Sequence, residues 1–197
     1  MKLSVPLILA SSSPRRQSLL TKVGFSFTSI PADIDEIQLN GESARDMVER
    51  LAIDKASFIA RIYPGSLVLG SDTCVELGGE VLGKPSSPME AELMLGRLSG
   101  QTHSVYTGIA VVHVSSNRVV SHVERTEVTF ARISNREIEE YVKTGSPMDK
   151  AGSYGIQDDQ GAFFISGIHG DFYTVMGLPL HQLYVLLRTR FADLISV

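Results

Sequence analysis

Ile8-Leu9-Ala10-Ser11-Ser12-Ser13-Pro14-Arg15-Arg16-Gln17-Ser18-Leu19-Leu20 decides how the chain begins to fold. An apolar run, Leu7 to Ala10, breaks into three serines, a proline and two arginines, then resumes at Leu19, Leu20 and Val23. This pattern predicts a buried strand ending at Ala10 and a helix capped by Ser13. Pro14 would then stand in the first turn, where a missing N–H costs nothing. Arg15 and Arg16 fall in the same turn. The helix macrodipole already makes that end positive, so two cations there point to an anion close by. Exposed backbone N–H groups, the hydroxyls of Ser11 and Ser13 and two guanidinium forks suit a phosphate chain. A solvated turn with surface arginines, or a serine-proline modification site, is the competing reading.

A chain of 197 residues, 43% of them hydrophobic, suits one large domain or two small lobes around a shared core. Its composition is that of a globular protein rather than a disordered one. A net charge of −4 argues against non-specific binding to nucleic acid, which wants a basic face. The single Cys74 excludes an intrachain disulfide and fits a reducing compartment. Met1 to Ala10 resembles a weak signal peptide. Its apolar run is short, contains Pro6 and leads straight into the serine-arginine turn, so it reads as the first strand. No run approaches the ~20 apolar residues of a membrane helix. A cytoplasmic protein that binds neither nucleic acid nor membrane is expected.

Phe25 to Ile30 reads as a second strand, followed by the acidic loop Ala32-Asp33-Ile34-Asp35-Glu36-Ile37. Such loops are usually solvated, with a divalent metal held beside a nucleotide as the functional competitor. Ser43, with Asp46 three residues on, opens a helix whose apolar stripe is Val48, Leu51, Ala52, Ile59 and Ile62. Lys55 falls on that stripe, where it must either snorkel outward or meet an anion in a cleft. Ser66 to Cys74 reads as a buried strand interrupted by Asp72, a residue that is poor in strands and needs a partner when buried. Gly70 just before it is read as leaving room for a ligand. Asp72 is the leading candidate for a catalytic or metal-binding carboxylate.

A hairpin turning at Gly78-Gly79 follows, then Gly83-Lys84-Pro85, which sets another lysine in a constrained loop. Ser87-Pro88-Met89-Glu90 starts a helix through Leu98. Gln101 to Val114 and Arg118 to Phe130 form a long hairpin, on which His103, His113 and His122 lack metal-ligand spacing. Ser134 to Glu137 caps another helix, with Ile138, Tyr141 and Val142 on one face. Met148 to Gln157 is a glycine-rich loop of the kind that lines sites, and the Gln157 amide can read a base edge. A last hairpin is expected over Phe163 to Val175. The C-terminal helix should bury Leu180, Leu183 and Leu187.

Five stretches occur in order: Leu9-Ala10-Ser11-Ser12-Ser13-Pro14-Arg15-Arg16, Gly70-Ser71-Asp72-Thr73, Gly83-Lys84-Pro85, Asp149-Lys150-Ala151-Gly152-Ser153-Tyr154-Gly155-Ile156-Gln157 and Gly177-Leu178-Pro179. Together they resemble the Maf family of nucleoside triphosphate pyrophosphatases. The resemblance implies one Maf-like domain over residues 1–197 with an α/β fold like that of the inosine triphosphate pyrophosphatases. In that fold two lobes surround a curved mixed β-sheet, flanked by helices, with a deep central cleft. It also implies hydrolysis of a nucleoside triphosphate to the monophosphate and pyrophosphate, assisted by Mg²⁺ or Mn²⁺. A homodimer is a further expectation from the resemblance alone.

By the same resemblance Asp72 is the proton acceptor, while Ser11, Arg15, Arg16, Lys55, Lys84 and Asp149 line the cleft and Glu36 is the acidic position of the early loop. Arg15, Thr73 and Gln157 match the family members that cleave dTTP and UTP. The expected mechanism follows from charge. Ser11, Ser13 and the two arginines would hold the phosphates, with Lys55 and Lys84 stabilising charge on the leaving pyrophosphate. Asp72 and Glu36 would place the metal, and Asp72 would take a proton from the attacking water. Thr73 and Gln157 would face the pyrimidine. The rival expectations are a pyrophosphatase for modified nucleotides such as 7-methyl-GTP, and a non-catalytic nucleotide sensor that regulates septum formation.

Overall fold

The computed structural model describes residues 1–157 and 160–196. By its internal contacts the chain divides into two compact units. The first comprises Met1–Asp72, Thr107–Glu124 and Gly177–Val197, the second Thr73–Tyr106 and Arg125–Met176.

The first unit is built around three parallel strands, two of them short. β1 (Lys2–Leu3) precedes β2 (Leu7–Leu9), which pairs in parallel with β3 (Thr28–Ser29) and with β4 (Leu67–Leu77). Ala10 extends the ladder by donating to the Leu69 carbonyl at 2.8 Å. α1 (Pro14–Lys22) follows the serine turn, and α2 (Ala44–Ile62) crosses from the acidic loop back to β4. Ser43 caps α2 as expected, its Oγ accepting from the Asp46 N–H at 3.1 Å. Ile8, Ala10, Ala52, Ala56, Ile59, Val68 and Ala110 form one core.

Gly70 has a different purpose from the one its position suggests. A Cβ there would lie 2.2 Å from the Ala52 carbonyl oxygen and 2.8 Å from the Ala56 nitrogen. The missing side chain lets the α2 backbone, not a ligand, rest on β4. Gly108 does the same for Val48, whose carbonyl oxygen would be 2.3 Å from a Cβ.

In the second unit, β4 turns at Gly78-Gly79 into β5 (Glu80–Leu82), with Val75 opposite Leu82. α3 (Pro88–Leu98) begins at Ser87, which accepts from the Glu90 N–H. The Glu90 carboxylate is turned to Ser86 instead of closing a capping box. β6 (Thr102–His113) and β7 (Arg118–Phe130) are long strands that lie in this unit only before Thr107 and after Glu124; the rest, with the connecting Asn117 at a φ of 50°, belongs to the first unit. α4 (Asn135–Lys143) has the full capping box between Ser134 and Glu137. Leu95, Leu98, Val128, Phe130, Ile138, Tyr141 and Phe164 make the core. Strand order among the described residues is β3-β2-β4-β6-β7-β8, with β5 on β4 and β8 (Ile165–His169) antiparallel to β7, so the sheet is mixed.

Four expectations need correction. β3 covers only Thr28–Ser29 of the expected Phe25–Ile30 strand. Ile62, the last residue of α2, is 59% exposed and does not belong to the buried stripe. The expected hairpin over Phe163–Val175 is a single strand followed by α5 (Phe172–Met176). Asp171 decides this: its carboxylate accepts from the Thr174 N–H at 2.7 Å and Oγ1 at 2.8 Å, capping a helical turn where a return strand was expected. In α6 (Leu180–Arg190), Leu183 and Leu187 are buried, but Leu180 is only half-buried; Leu178, just before the helix, is the residue fully enclosed. α6 leads to β9 (Ile195–Ser196), antiparallel to β1.

Candidate active site

Lys55 is the centre of the first unit's polar cluster. It stays inside, 5% exposed, instead of snorkelling outward. Its Nζ lies 2.6 Å from Asp72 Oδ1 and 2.7 Å from Glu36 Oε1. Each partner explains the other's place in the sequence. A buried strand tolerates Asp72 because an ammonium meets it, and an apolar helix stripe tolerates Lys55 because a carboxylate does. The close seating of α2 on β4 at Gly70 brings the two side chains within reach.

Arg16 braces the serine turn. Its Nε donates to the Gly177 carbonyl at 2.9 Å and its Nη1 to Ser11 Oγ at 3.1 Å. Ser71 Oγ donates to the same Gly177 carbonyl at 2.9 Å. Burial pushes the Arg16 guanidinium below the ordinary arginine value; Asp72 opposes that shift, Arg15 adds to it and Glu36 opposes it. Arg16 therefore feels both carboxylates and the neighbouring cation. Three cations stand against two carboxylates, a balance that favours an incoming anion.

Ser13 does not act as predicted. It occupies the N-cap position of α1 without a side-chain cap bond; its N–H donates instead to Ser11 Oγ at 3.2 Å. The Ser11 hydroxyl is drawn inward by this bond and by Arg16, so Ser11 shapes the turn. Arg15 is half-buried beside it in the first turn of α1.

The second unit carries the other candidates. Thr73 is half-buried on β4 directly after Asp72, while Lys84, Asp149 and Gln157 are exposed. Two loops hold the last three. The Gly152 N–H donates to the carbonyl of Gly83, next to Lys84, at 3.0 Å. Gly152 has a φ of 66° and packs on Val75, where a Cβ would be 2.8 Å from Cγ2. Ser153 shares the left-handed conformation with a φ of 64°, and its buried Oγ donates to Met94 Sδ at 3.2 Å. Tyr154 is buried against Phe130, ring centroids 4.7 Å apart, and its hydroxyl lies 2.7 Å from His103 Nε2. These anchors fix the chain between Asp149 and Gln157.

Burial lowers His103 to about 4, so its ring is neutral at ordinary pH. Burial also raises Tyr154 above the usual phenol range, which keeps its hydroxyl protonated. Lys150 is buried as well, with Nζ 2.5 Å from the Ser146 carbonyl oxygen and 2.8 Å from Asp149 Oδ1.

The structure thus brings Ser11, Arg16, Glu36, Lys55 and Asp72 into one network, and sets Lys84 beside the loop that carries Asp149 and Gln157. Sequence reasoning assigned no part to Ser71 or Lys150, and none to the carbonyl of Gly177. Lys150 stood inside a stretch singled out for its glycines, and Ser71 and Gly177 inside stretches that carry the family resemblance, but nothing local marks which backbone carbonyl or distant side chain each one meets.

Residues 6–190 match the family model described as Maf-like protein, and the chain belongs to that family. Among its relatives are proteins named dTTP/UTP pyrophosphatase. That of Symbiobacterium thermophilum is 53% identical over 89% of both chains. That of Moorella thermoacetica is 50% identical over 92% of this chain and 93% of its own, and that of Salinibacter ruber 45% identical over 100% and 96%. A solved Ham1 protein from Coxiella burnetii shares the fold, with a TM-score of 0.50 at 17% identity over 93% of this chain and 98% of that one. Among the described residues no helix is long and apolar enough to cross a membrane.

Proposed function

We propose that this chain hydrolyses dTTP and UTP in the cytoplasm, each to its monophosphate and pyrophosphate, with Asp72 as the proton acceptor. The observation that carries the site assignment is the Glu36–Lys55–Asp72 cluster, two carboxylates meeting at one ammonium beside the arginine turn. The relatives' name supplies the substrate class. In the reaction, a water oxygen bonds to the α-phosphorus and the bond to the α–β bridging oxygen breaks. The leaving pyrophosphate keeps that electron pair, and the water's proton passes to the Asp72 carboxylate.

Arg15, Arg16 and the serine turn bind and orient the phosphates, while Lys55 and Lys84 meet charge as it moves onto the leaving group. Thr73 and Gln157 contact the pyrimidine, the Gln157 amide offering one donor face and one acceptor face to its polar edge.

The residues present fit a divalent cation. Mg²⁺ characteristically takes one or two carboxylates and completes its shell with substrate phosphates and waters. Glu36 and Asp72 are such a pair, hard oxygen donors held close together by the Lys55 ammonium that both of them meet. Among the described residues no group of three or more His, Cys, Asp or Glu is disposed to hold an ion, so the phosphates would complete the shell. When bound, the cation would neutralise part of the triphosphate charge.

The test is pyrophosphate release from a panel of canonical and methylated nucleoside triphosphates with Mg²⁺ or Mn²⁺, run beside Asp72→Asn. Turnover concentrated on dTTP and UTP, and reduced at least ~100-fold in the variant, is expected. Turnover of a methylated purine nucleotide in preference to both would overturn the substrate assignment. Undiminished turnover in Asp72→Asn would remove Asp72 from the chemistry.

A further inference from the structure

Glu36 stands in a segment without regular secondary structure. The neighbouring Ile37 and Leu39 are 64% and 50% exposed, so burial of these side chains does not fix the loop's path. No helix or strand covers residues 30–43. Yet the Glu36 carboxylate sits 2.7 Å from the Lys55 ammonium.

Arg50 ties down the residues that follow Glu36. Arg50, on the same helix as Lys55, donates from Nε to Glu42 Oε1 at 2.6 Å and from Nη2 to Glu42 Oε2 at 2.7 Å. The same Nη2 donates to the carbonyl of Ile37, the residue after Glu36, at 2.9 Å. Glu42 ties the loop to itself as well. Its Oε2 accepts from the Leu39 N–H at 3.0 Å, and its carbonyl accepts from Gln38 Nε2 at 2.7 Å. The segment from Ile37 to Glu42 is therefore folded around one guanidinium, and that guanidinium stands five residues before Lys55 on a rigid helix, about 7.5 Å along its axis.

We propose that Arg50 is a positioning residue: by clamping Ile37 and Glu42 to α2, it holds the Glu36 carboxylate on Lys55. The inference rests on the proposed role of Glu36. Only the planar fork of arginine meets both carboxylate oxygens and a carbonyl together; a lysine ammonium is a point charge and does not reproduce it. The part played by Arg50 is passed on through Glu36, so its effect on catalysis should vanish when Glu36 no longer acts.

A double-mutant cycle on wild type, Arg50→Met, Glu36→Gln and the double variant tests this, with kcat/KM for dTTP as the first readout. Arg50→Met alone should lose roughly tenfold, with Arg50→Lys recovering little of it. In the Glu36→Gln background the same change should lose less than about twofold, because coupled residues are non-additive. Equal losses in both backgrounds, or an unchanged Arg50→Met, would overturn the proposal, as would a Glu36→Gln variant as active as wild type.

Hydrogen exchange is the second readout and does not depend on turnover. In Arg50→Met the amides of residues 36–42 should exchange at least ~10-fold faster while those of α2 around Lys55 stay protected. Unchanged exchange over 36–42 would refute the clamp. A wild type that releases no pyrophosphate would instead refute the proposed function, leaving the exchange result to judge Arg50.

Discussion

Gly70→Ala is the substitution that most directly tests how the scaffold makes the site. The added Cβ would lie 2.2 Å from the Ala52 carbonyl oxygen, 2.8 Å from the Ala56 nitrogen and 3.0 Å from the Ala56 Cβ, where ordinary contact begins at 3.4 Å. Ala52 and Ala56 are four residues apart on α2, so the methyl group would strike the two backbone groups that pair in a helical hydrogen bond. Neither obstacle can swing away. α2 would have to back off by more than about 1 Å, and overpacking of this kind costs about 3 kcal/mol or more. For a chain of this size that is a fall in Tm of roughly 6–12 °C. Lys55 immediately precedes Ala56, so the same shift would draw Nζ away from Asp72 Oδ1, now 2.6 Å distant. A misplacement of about 1 Å in a catalytic arrangement can reduce turnover on the order of 100-fold. The assay pairs urea unfolding with pyrophosphate release at a temperature where the variant is folded. A Gly70→Ala protein within about 0.5 kcal/mol of wild type and with full activity would refute the argument that this glycine exists to seat the helix.

Two further predictions test the second unit. Gln157→Leu should weaken the preference for dTTP and UTP over other nucleotides by at least ~10-fold in relative kcat/KM, since a leucine cannot hydrogen-bond a base edge; an unaltered preference would remove Gln157 from base selection. His103 should make the protein acid-sensitive. Its native value of about 4 lies below the unfolded 6.5, so between those pH values the unfolded chain binds a proton that the native state does not. Stability therefore falls as pH drops through that window, by on the order of 3 kcal/mol when the change is complete. Urea midpoints of wild type and His103→Asn at pH 7 and pH 4.5 isolate this contribution. The gap between the two proteins should narrow or reverse at the lower pH, and a constant gap would exclude His103 as the source.

The helix starts were legible because capping is local. Ser43, Ser87 and Ser134 each receive the N–H three residues on, as their sequences require. Ser13 misled for the same local reason: its surroundings match a cap, but the hydroxyl that organises the turn is that of Ser11, drawn in by Arg16 and the Ser13 N–H. The stretch after Phe163 misled because glycines around a short apolar run suggest a hairpin. The Asp171 carboxylate outweighs that signal by accepting the Thr174 N–H and so capping the helical turn that begins at Phe172. Gly70 showed that something must come close, yet a backbone and a ligand leave the same mark in a sequence. Only the packing tells them apart.

Lys55 and Asp72 show what a sequence can and cannot say about a site. Each is a misfit, a charge where the local pattern asks for an apolar residue, and each alone has a bland explanation. The physical cost of burying a charge turns the two anomalies into a constraint: an ammonium and a carboxylate, both nearly closed off from water, must each find an opposite charge. Seventeen residues separate them, and nothing local tells that they meet. The third member, Glu36, is not a misfit at all. Its side chain is 43% exposed and it belongs to a loop that composition alone would leave in solvent. A pair of buried opposite charges is already balanced, so a second carboxylate on the same ammonium is not needed to hold the fold together. Its presence leaves the Lys55 ammonium shared between two carboxylates beside a turn of arginines, an arrangement that the proposed cation and polyphosphate would use together.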